Sequence, residues 1–390
     1  MNLVHHFLFF SHNRRYGATT GTAQENTAVT NISDTPVAPP AMETPRQSEK
    51  PVLLVGNPTS QSGKAARRID LAREIMQEKG VIHEFRSTLP NNETVKMVRD
   101  AIDQDGFETI VYMGGDGTFY EVATGICTSS APHKIRLGML PSGTANDQGK
   151  SFGISSEERA LPENIDVIME GHTESLDVGE VTAYDLDGKA ISTDFFFDSL
   201  GWGLSAAILA FRNRELKLVK KMPLWRDMYR DQAVYVRAAM HELALHWATR
   251  DRFAAEIDVD GWVHLFERLS DIVVSNTTVY AGEWIIDPRS SASDGMIELA
   301  PFSGLRDWTS KLIMHHKKNL LREEMLNKIG VSHTPNLKGK EFRIHLLRPA
   351  VDKRLPAQRD GEEFVGADDY YIRVLPRLLT VIVPKNFHWI

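Results

Sequence analysis

The apolar run Thr109-Ile110-Val111-Tyr112-Met113 leads directly into Gly114-Gly115-Asp116-Gly117-Thr118, and this turn leads directly into a helix-like run from Phe119 to Cys127. Strand, glycine turn and helix in immediate succession point to an α/β unit. Glycines let the backbone approach a ligand closely, and the turn amides with the helix N-terminus offer donors and a positive dipole end to phosphate oxygens. Asp116 opposes a phosphate unless it holds a water network or a magnesium ion that bridges to it. The same five residues also read as a plain connecting turn, so the surrounding loops have to decide.

The pattern around the turn extends the α/β reading. An apolar run Val52-Leu53-Leu54-Val55 precedes a helical stretch over 65–79, an apolar run over 81–85, a helix over 93–104, and a short strand over 136–140. Helix and strand in alternation predict a mostly parallel sheet covered by helices. Beyond Ser175 the texture becomes strands and turns, with runs over 178–184, 193–200, 254–259, 271–275, 296–301, 342–347 and 371–375. Two basic, helical inserts interrupt it, at about 204–248 and about 307–328. Residues 11–50, rich in Thr, Ser, Asn, Pro and Ala, read as a disordered tail. The expected organisation is a tail over 1–50, an α/β domain over 51–176, a β-sandwich over 177–375 and a C-terminal segment over 376–390 that returns toward the first domain.

With 42% apolar and 25% charged residues, the 390-residue chain has ordinary globular usage. A net charge of −7 gives no global electrostatic case for nucleic acid. No apolar stretch has the length of a transmembrane helix, and the short apolar opening, Met1 to Phe10, lacks the basic flank of a signal peptide. The single cysteine, Cys127, allows no intrachain disulfide, so a reducing cytoplasm is expected.

Two further loops follow predicted strands. Gly56-Asn57-Pro58-Thr59-Ser60-Gln61-Ser62-Gly63-Lys64 is rich in hydroxyls and amides and opens a helix carrying Lys64, Arg67 and Arg68. It is not a P-loop, because Pro58 and Ala65 stand where that motif needs Gly and Ser or Thr. Pro141-Ser142-Gly143-Thr144-Ala145-Asn146-Asp147 again lies between a strand and a helix. Three such loops at successive strand ends are expected on one edge of the sheet, where open α/β sheets bind ligands.

These loops, together with Ser175-Leu176-Asp177-Val178-Gly179, the Ser293-Asp294-Gly295 turn, Gln358-Arg359-Asp360-Gly361-Glu362 and Val374-Leu375-Pro376-Arg377, resemble the diacylglycerol kinase catalytic-domain family. That family includes sphingosine kinases, ceramide kinases and bacterial lipid kinases, and it is more distantly similar to NAD kinases. The resemblance runs from about Pro51 to Pro384 and rests on the order and spacing of the motifs. It implies an NAD kinase/diacylglycerol kinase-like two-domain fold, an α/β nucleotide-binding domain followed by a β-sandwich, with ATP and magnesium in the cleft between.

Carried over by position, the resemblance implies that Asn57, Ser60, Gly63 and Lys64 meet the nucleotide. Gly114, Gly115, Asp116, Gly117 and Thr118 would wrap its phosphates, with Glu121, Gly143, Thr144, Asn146 and Lys150 completing the nucleotide site. Asp116, Asp147 and Asp177 would form an acidic network around magnesium, and Asp294 a further cation site. Asp360 would be the general base toward the acceptor hydroxyl, with Glu362 beside it as a metal or water ligand. Phosphoryl transfer needs this kind of positioning and charge neutralisation more than covalent chemistry. Two departures are Gln61, where the family often has glycine, and Gln148-Gly149-Lys150, where Lys150 keeps a positive charge without the bidentate geometry of Arg.

Other patterns do not carry function. Gly201-Trp202-Gly203 imitates a dinucleotide fingerprint in the β-rich half, the His241-Glu242/His246 spacing is not HExxH, and Asp258-Val259-Asp260-Gly261 lacks most of a calcium loop. Between Phe211 and Arg230, seven basic and two acidic residues interleave with Leu, Met, Trp and Tyr, which suits either an anionic membrane surface or a helix packed on the sandwich. The expectation is an ATP- and magnesium-dependent lipid kinase of the cytoplasm, peripheral to the membrane, acting on diacylglycerol to give phosphatidic acid. The alternatives are a sphingoid or ceramide kinase, an NAD kinase-like enzyme, or a non-catalytic lipid- or nucleotide-binding protein. A homodimer stays open.

Overall fold

The computed structural model describes residues 50–143, 146–219, 252–277, 279–280, 284–285, 290–304, 307–308, 315–316, 319–320, 334–347 and 354–388. The expected tail over 1–50 and the basic stretch beyond Val219 lie outside them, apart from Lys50.

Four strands and five helices, alternating as far as β4, build the first part of the chain: β1 (Val52–Gly56), α1 (Lys64–Glu78), β2 (His83–Ser87), α2 (Glu93–Asp103), β3 (Thr109–Gly114), α3 (Asp116–Cys127), β4 (Arg136–Pro141), α4 (Asp147–Ser151) and α5 (Leu161–Glu170). β1, β3 and β4 are buried almost throughout, as strands covered on both faces must be. They pair in parallel in the order β2-β1-β3-β4, so their C-terminal ends lie side by side. Leu53, Val55, Ile110 and Tyr112 face one core with α2 and α3; Val52, Leu54, Val111 and Met113 face another with α1 and α5.

The remaining chain is dominated by antiparallel strands: β5 (Thr173–Tyr184), β6 (Ala190–Phe196), β7 (Ser199–Gly203), then α6 (Leu204–Val219), β8 (Phe253–Val259), β9 (Trp262–Leu269) and β10 (Asp271–Ser275). β11 (Val279–Tyr280), β12 (Trp284–Ile285), β14 (His315–His316) and β15 (Asn319–Leu320) are two-residue strands forming a small sheet, interleaved in sequence with β13 (Ile297–Phe302). The described part of the second expected helical insert therefore includes strand pairs. β16 (Leu337–Gly339), β17 (Glu341–Leu347), β18 (Ala357–Arg359), β19 (Glu362–Phe364) and β20 (Asp369–Ile382) complete the chain.

Two sheets face each other across a core that includes Trp202, Phe253, Ile257, Phe342, Ile344 and Ile372. One has the order β16-β13-β10-β7-β18-β19. The other runs β2-β1-β3-β4-β20-β17-β8-β9, with β5 and β6 branching from β20. β20 is the joint: Thr380 and Val381 pair in parallel with β4, while Asp369 to Arg373 pair antiparallel with β17. The expected strand over 193–200 divides into β6 and β7, because residues 197 and 198 leave the ladder to hold a side chain described below.

Candidate functional site

The loops after β3 and β4 are joined to one another by backbone. The Ser142 amide donates to the Gly114 carbonyl at 2.7 Å. A Cβ on Gly115 would meet the Gly143 Cα at 3.1 Å, and one on Gly143 would press into the Gly115 backbone. A Cβ on Gly114 would overlap the Thr118 hydroxyl. Gly117 alone of the turn faces open space, with nothing within 4 Å of a Cβ built there. Three of these four glycines are therefore required by packing, and Gly117 leaves open space at the helix N-terminus.

Asn146, in the left-handed region at φ 53°, closes its own loop: its Oδ1 accepts the Gly143 amide and its Nδ2 donates to the Gly143 carbonyl, both at 2.7 Å. That uses its side-chain amide in both directions. Thr144 lies outside the described residues. Lys150 is half-buried in the short helix α4. In the first loop Asn57 Oδ1 accepts the Thr59 amide and hydroxyl, and the Ser60 hydroxyl donates to the Asn57 carbonyl. Gly63 and Lys64 are exposed at the start of α1, Gly63 with φ 87°. Glu121 points toward α2, where the Thr94 hydroxyl offsets the upward effect of partial burial on its carboxyl.

Asp116 crosses to the next loop. Its Oδ2 accepts the Asn146 amide at 2.9 Å, and the amides of Asp147 and Gln148 oppose the burial that raises its carboxyl. Asp116 Oδ1 is buried and has no hydrogen-bond partner among the described residues. An unpaired buried carboxylate oxygen is costly, so it fits a bound cation or water.

Asp360 sits in the turn between β18 and β19 at φ 47°. Its Oδ1 accepts the amides of Asp198 at 2.8 Å and Ser199 at 3.0 Å, while the Phe197 amide is shared between Oδ1 at 3.2 Å and Oδ2 at 3.0 Å. Burial raises its carboxyl to about 6, against the pull of these amides and of Arg359. Such a group is ionised at neutral pH yet more basic than an ordinary carboxylate. Among the described residues Oδ2 accepts only the Phe197 amide, which leaves it a lone pair for a proton.

The segment that holds Asp360 meets the loops through aromatic packing. Phe197 lies edge-on to Phe119 of α3 at 5.4 Å and to Tyr120 at 5.9 Å, and the Arg359 guanidinium stands 4.3 Å over the Tyr120 ring while pairing with Asp194 at 2.7 Å. Asp198, absent from the sequence reading, lies between: burial lifts its carboxyl well above the usual range, and the charges of Asp147, Asp360 and Asp116 lift it further. Its only signal in the sequence is an acid directly after the apolar run Phe195 to Phe197.

The expected metal-binding acids divide. Asp116 and Asp147 act electrostatically on Asp198 beside Asp360. The fully buried Asp177 is taken up by backbone, its carboxylate accepting the amides of Gly295 at 2.6 Å and Arg377 at 2.8 Å, and Asp294 pairs with Lys338 at 2.6 Å. Glu362 is exposed, with Arg212 as a nearby cation. Among the described residues no three His, Cys, Asp or Glu side chains form a cage for an ion. Magnesium commonly needs only one or two carboxylates when phosphates supply the remaining oxygens, and Asp116 is the acid here that fits.

Residues 51–181 match the family model described as "Diacylglycerol kinase catalytic domain". The chain is 28% identical over 134 residues to "Diacylglycerol kinase" of Staphylococcus carnosus, covering 34% of this chain and 42% of the relative. It is 36% identical over 124 residues to "Probable lipid kinase YegS-like" of Enterobacter sp., covering 31% of this chain and 40% of the relative. These matches span about two fifths of each relative's length. A solved diacylglycerol kinase structure from Bacillus anthracis superposes with a TM-score of 0.59 at 16% identity, covering 86% of this chain and 97% of that one, so the two share a fold. The matched segment, whose loops after β3 and β4 are clasped together, is similar to the diacylglycerol kinase catalytic-domain family.

Proposed function

We propose that this chain is an ATP- and magnesium-dependent lipid kinase that transfers the γ-phosphate to a lipid hydroxyl, with diacylglycerol as acceptor and phosphatidic acid as product. The observation that carries the reading is Asp360: a half-buried carboxylate raised to about 6, fixed by three amides, with a lone pair of Oδ2 left over. In this reading the acceptor hydroxyl donates to Oδ2, and Asp360 takes its proton as the oxygen attacks phosphorus. Gly117 and the start of α3 receive the ATP phosphates. Asp116 Oδ1 would hold magnesium, which neutralises phosphate charge when bound. Arg359, wedged against Tyr120 and bound to Asp194, keeps Asp360 beside a positive charge.

Among the described residues no helix is long and apolar enough to cross a membrane. The reading therefore has the enzyme working at the bilayer surface from the cytoplasm, with the basic stretch from Phe211 to Arg230, largely outside the described residues, as its contact.

The test is product formation from labelled ATP and magnesium with diacylglycerol, sphingosine, ceramide and NAD as acceptors. Diacylglycerol is expected to be labelled most strongly. Asp360→Asn should reduce transfer by about 10²–10⁴-fold while nucleotide binding persists. Absence of lipid-dependent ADP release across the lipids would overturn the reading.

A further inference from the structure

We infer that Asn276 and Thr277, just beyond the end of β10, are positioning residues for Asp360, a role that rests on the lipid-kinase reading above. Both are fully buried. The Asn276 amide donates to the Asp198 carbonyl at 2.8 Å, and Asn276 Nδ2 donates to the Phe197 carbonyl at 3.1 Å and the Asp177 carbonyl at 2.8 Å. The Thr277 hydroxyl donates to Asp198 Oδ1.

A peptide unit is planar, so holding a carbonyl fixes the direction of the N–H that follows it. The Phe197 carbonyl shares its plane with the Asp198 N–H, and the Asp198 carbonyl with the Ser199 N–H. Those are the two amides that donate to Asp360 Oδ1 at 2.8 and 3.0 Å. Asn276 thus grips from behind the same two peptide planes whose front edges hold the base. Thr277 does the same for the side chain of Asp198, which otherwise could turn its carboxylate toward Asp360.

Among the described residues Asn276 Oδ1 is buried without a partner. Keeping an unpaired acceptor there is unfavourable, so the donor half of this side chain is what the site uses. The cradle is also tied to β5 through the Asp177 carbonyl, which leaves Phe197–Ser199 little freedom to shift.

The experiment uses the full chain. Thr277→Val and Asn276→Ala are compared with wild type for lipid phosphorylation kinetics and for amide hydrogen exchange over Phe197–Ser199, with Thr277→Ser as the conservative rescue. Expected is a fall in kcat of about 10–100-fold in both variants, because a base displaced by an ångström loses that order of rate. The KM for ATP is expected to stay at its wild-type value, exchange at Phe197–Ser199 to rise, and Thr277→Ser to restore both. Should Asn276→Ala fail to fold, Thr277→Val alone decides. A raised KM with kcat retained, or a Thr277→Ser variant as impaired as Thr277→Val, overturns the inference. Wild-type protein without lipid-dependent turnover overturns the kinase reading instead; amide exchange then judges the clamp, and unchanged exchange at Phe197–Ser199 refutes it.

Discussion

Gly117 and Gly143 belong to neighbouring loops but answer to different forces. A methyl group at position 143 would enter the Gly115 backbone, which can yield only by separating the two loops. Gly143→Ala is therefore expected to cost about 1–3 kcal/mol, read as a lowered urea midpoint. At position 117 the added methyl meets open space in the first turn of α3, where alanine loses less backbone freedom on folding than glycine. Gly117→Ala should leave the midpoint at or above wild type and raise the KM for ATP. Asp360 makes a separate prediction. The base works ionised and its carboxyl lies at about 6, so kcat/KM for the lipid should fall about tenfold per pH unit below about 6 and level off above it; an acid limb centred near 4 would contradict the assigned burial. The sequence marks all of these positions as special but not in what way. Glycine type is visible, whereas the atom that a Cβ would strike belongs to another loop.

At the scale of elements, the periodicity of β17, alternately exposed and buried, is plain in its residues because one face meets the core and the other faces outward. β20 is different. Its ladder with β5 is irregular between Leu375 and Leu379, where Pro376 lacks an N–H and Arg377 takes φ 53°. Asp177 accepts the Arg377 amide released there and the Gly295 amide from the Asp294 turn. Asp177→Ala would strand two amides beside a buried position, and a loss of about 2–5 kcal/mol is expected, the same with and without magnesium in urea unfolding. A loss seen only in magnesium would return Asp177 to the metal-ligand role implied by family resemblance. Local pattern could not distinguish these roles, since Asp177 in Ser175-Leu176-Asp177-Val178-Gly179 has the same composition whether it holds an ion or a bulge.

Across the whole molecule, the alternation of strand and helix from Val52 to Glu170 determined a parallel sheet with its ligand loops on one edge, because hydrophobic periodicity and turn glycines act over a few residues at a time. Resemblance to a known family also marked Asp360 as a candidate base, in a segment that by itself reads as a β-turn. Only the tertiary structure decided which acids share its surroundings. Asp360 meets the Phe197 amide across 163 residues of sequence, Asp198 enters the cluster unannounced, and the carboxylates of Asp177 and Asp294 engage the Gly295 amide and Lys338. β20, paired with β4 at one end and β17 at the other, carries one sheet through both parts of the chain. The reason is physical: burial and hydrogen bonding across distant segments set a carboxylate's partners and basicity, and neither is encoded in its neighbours along the chain.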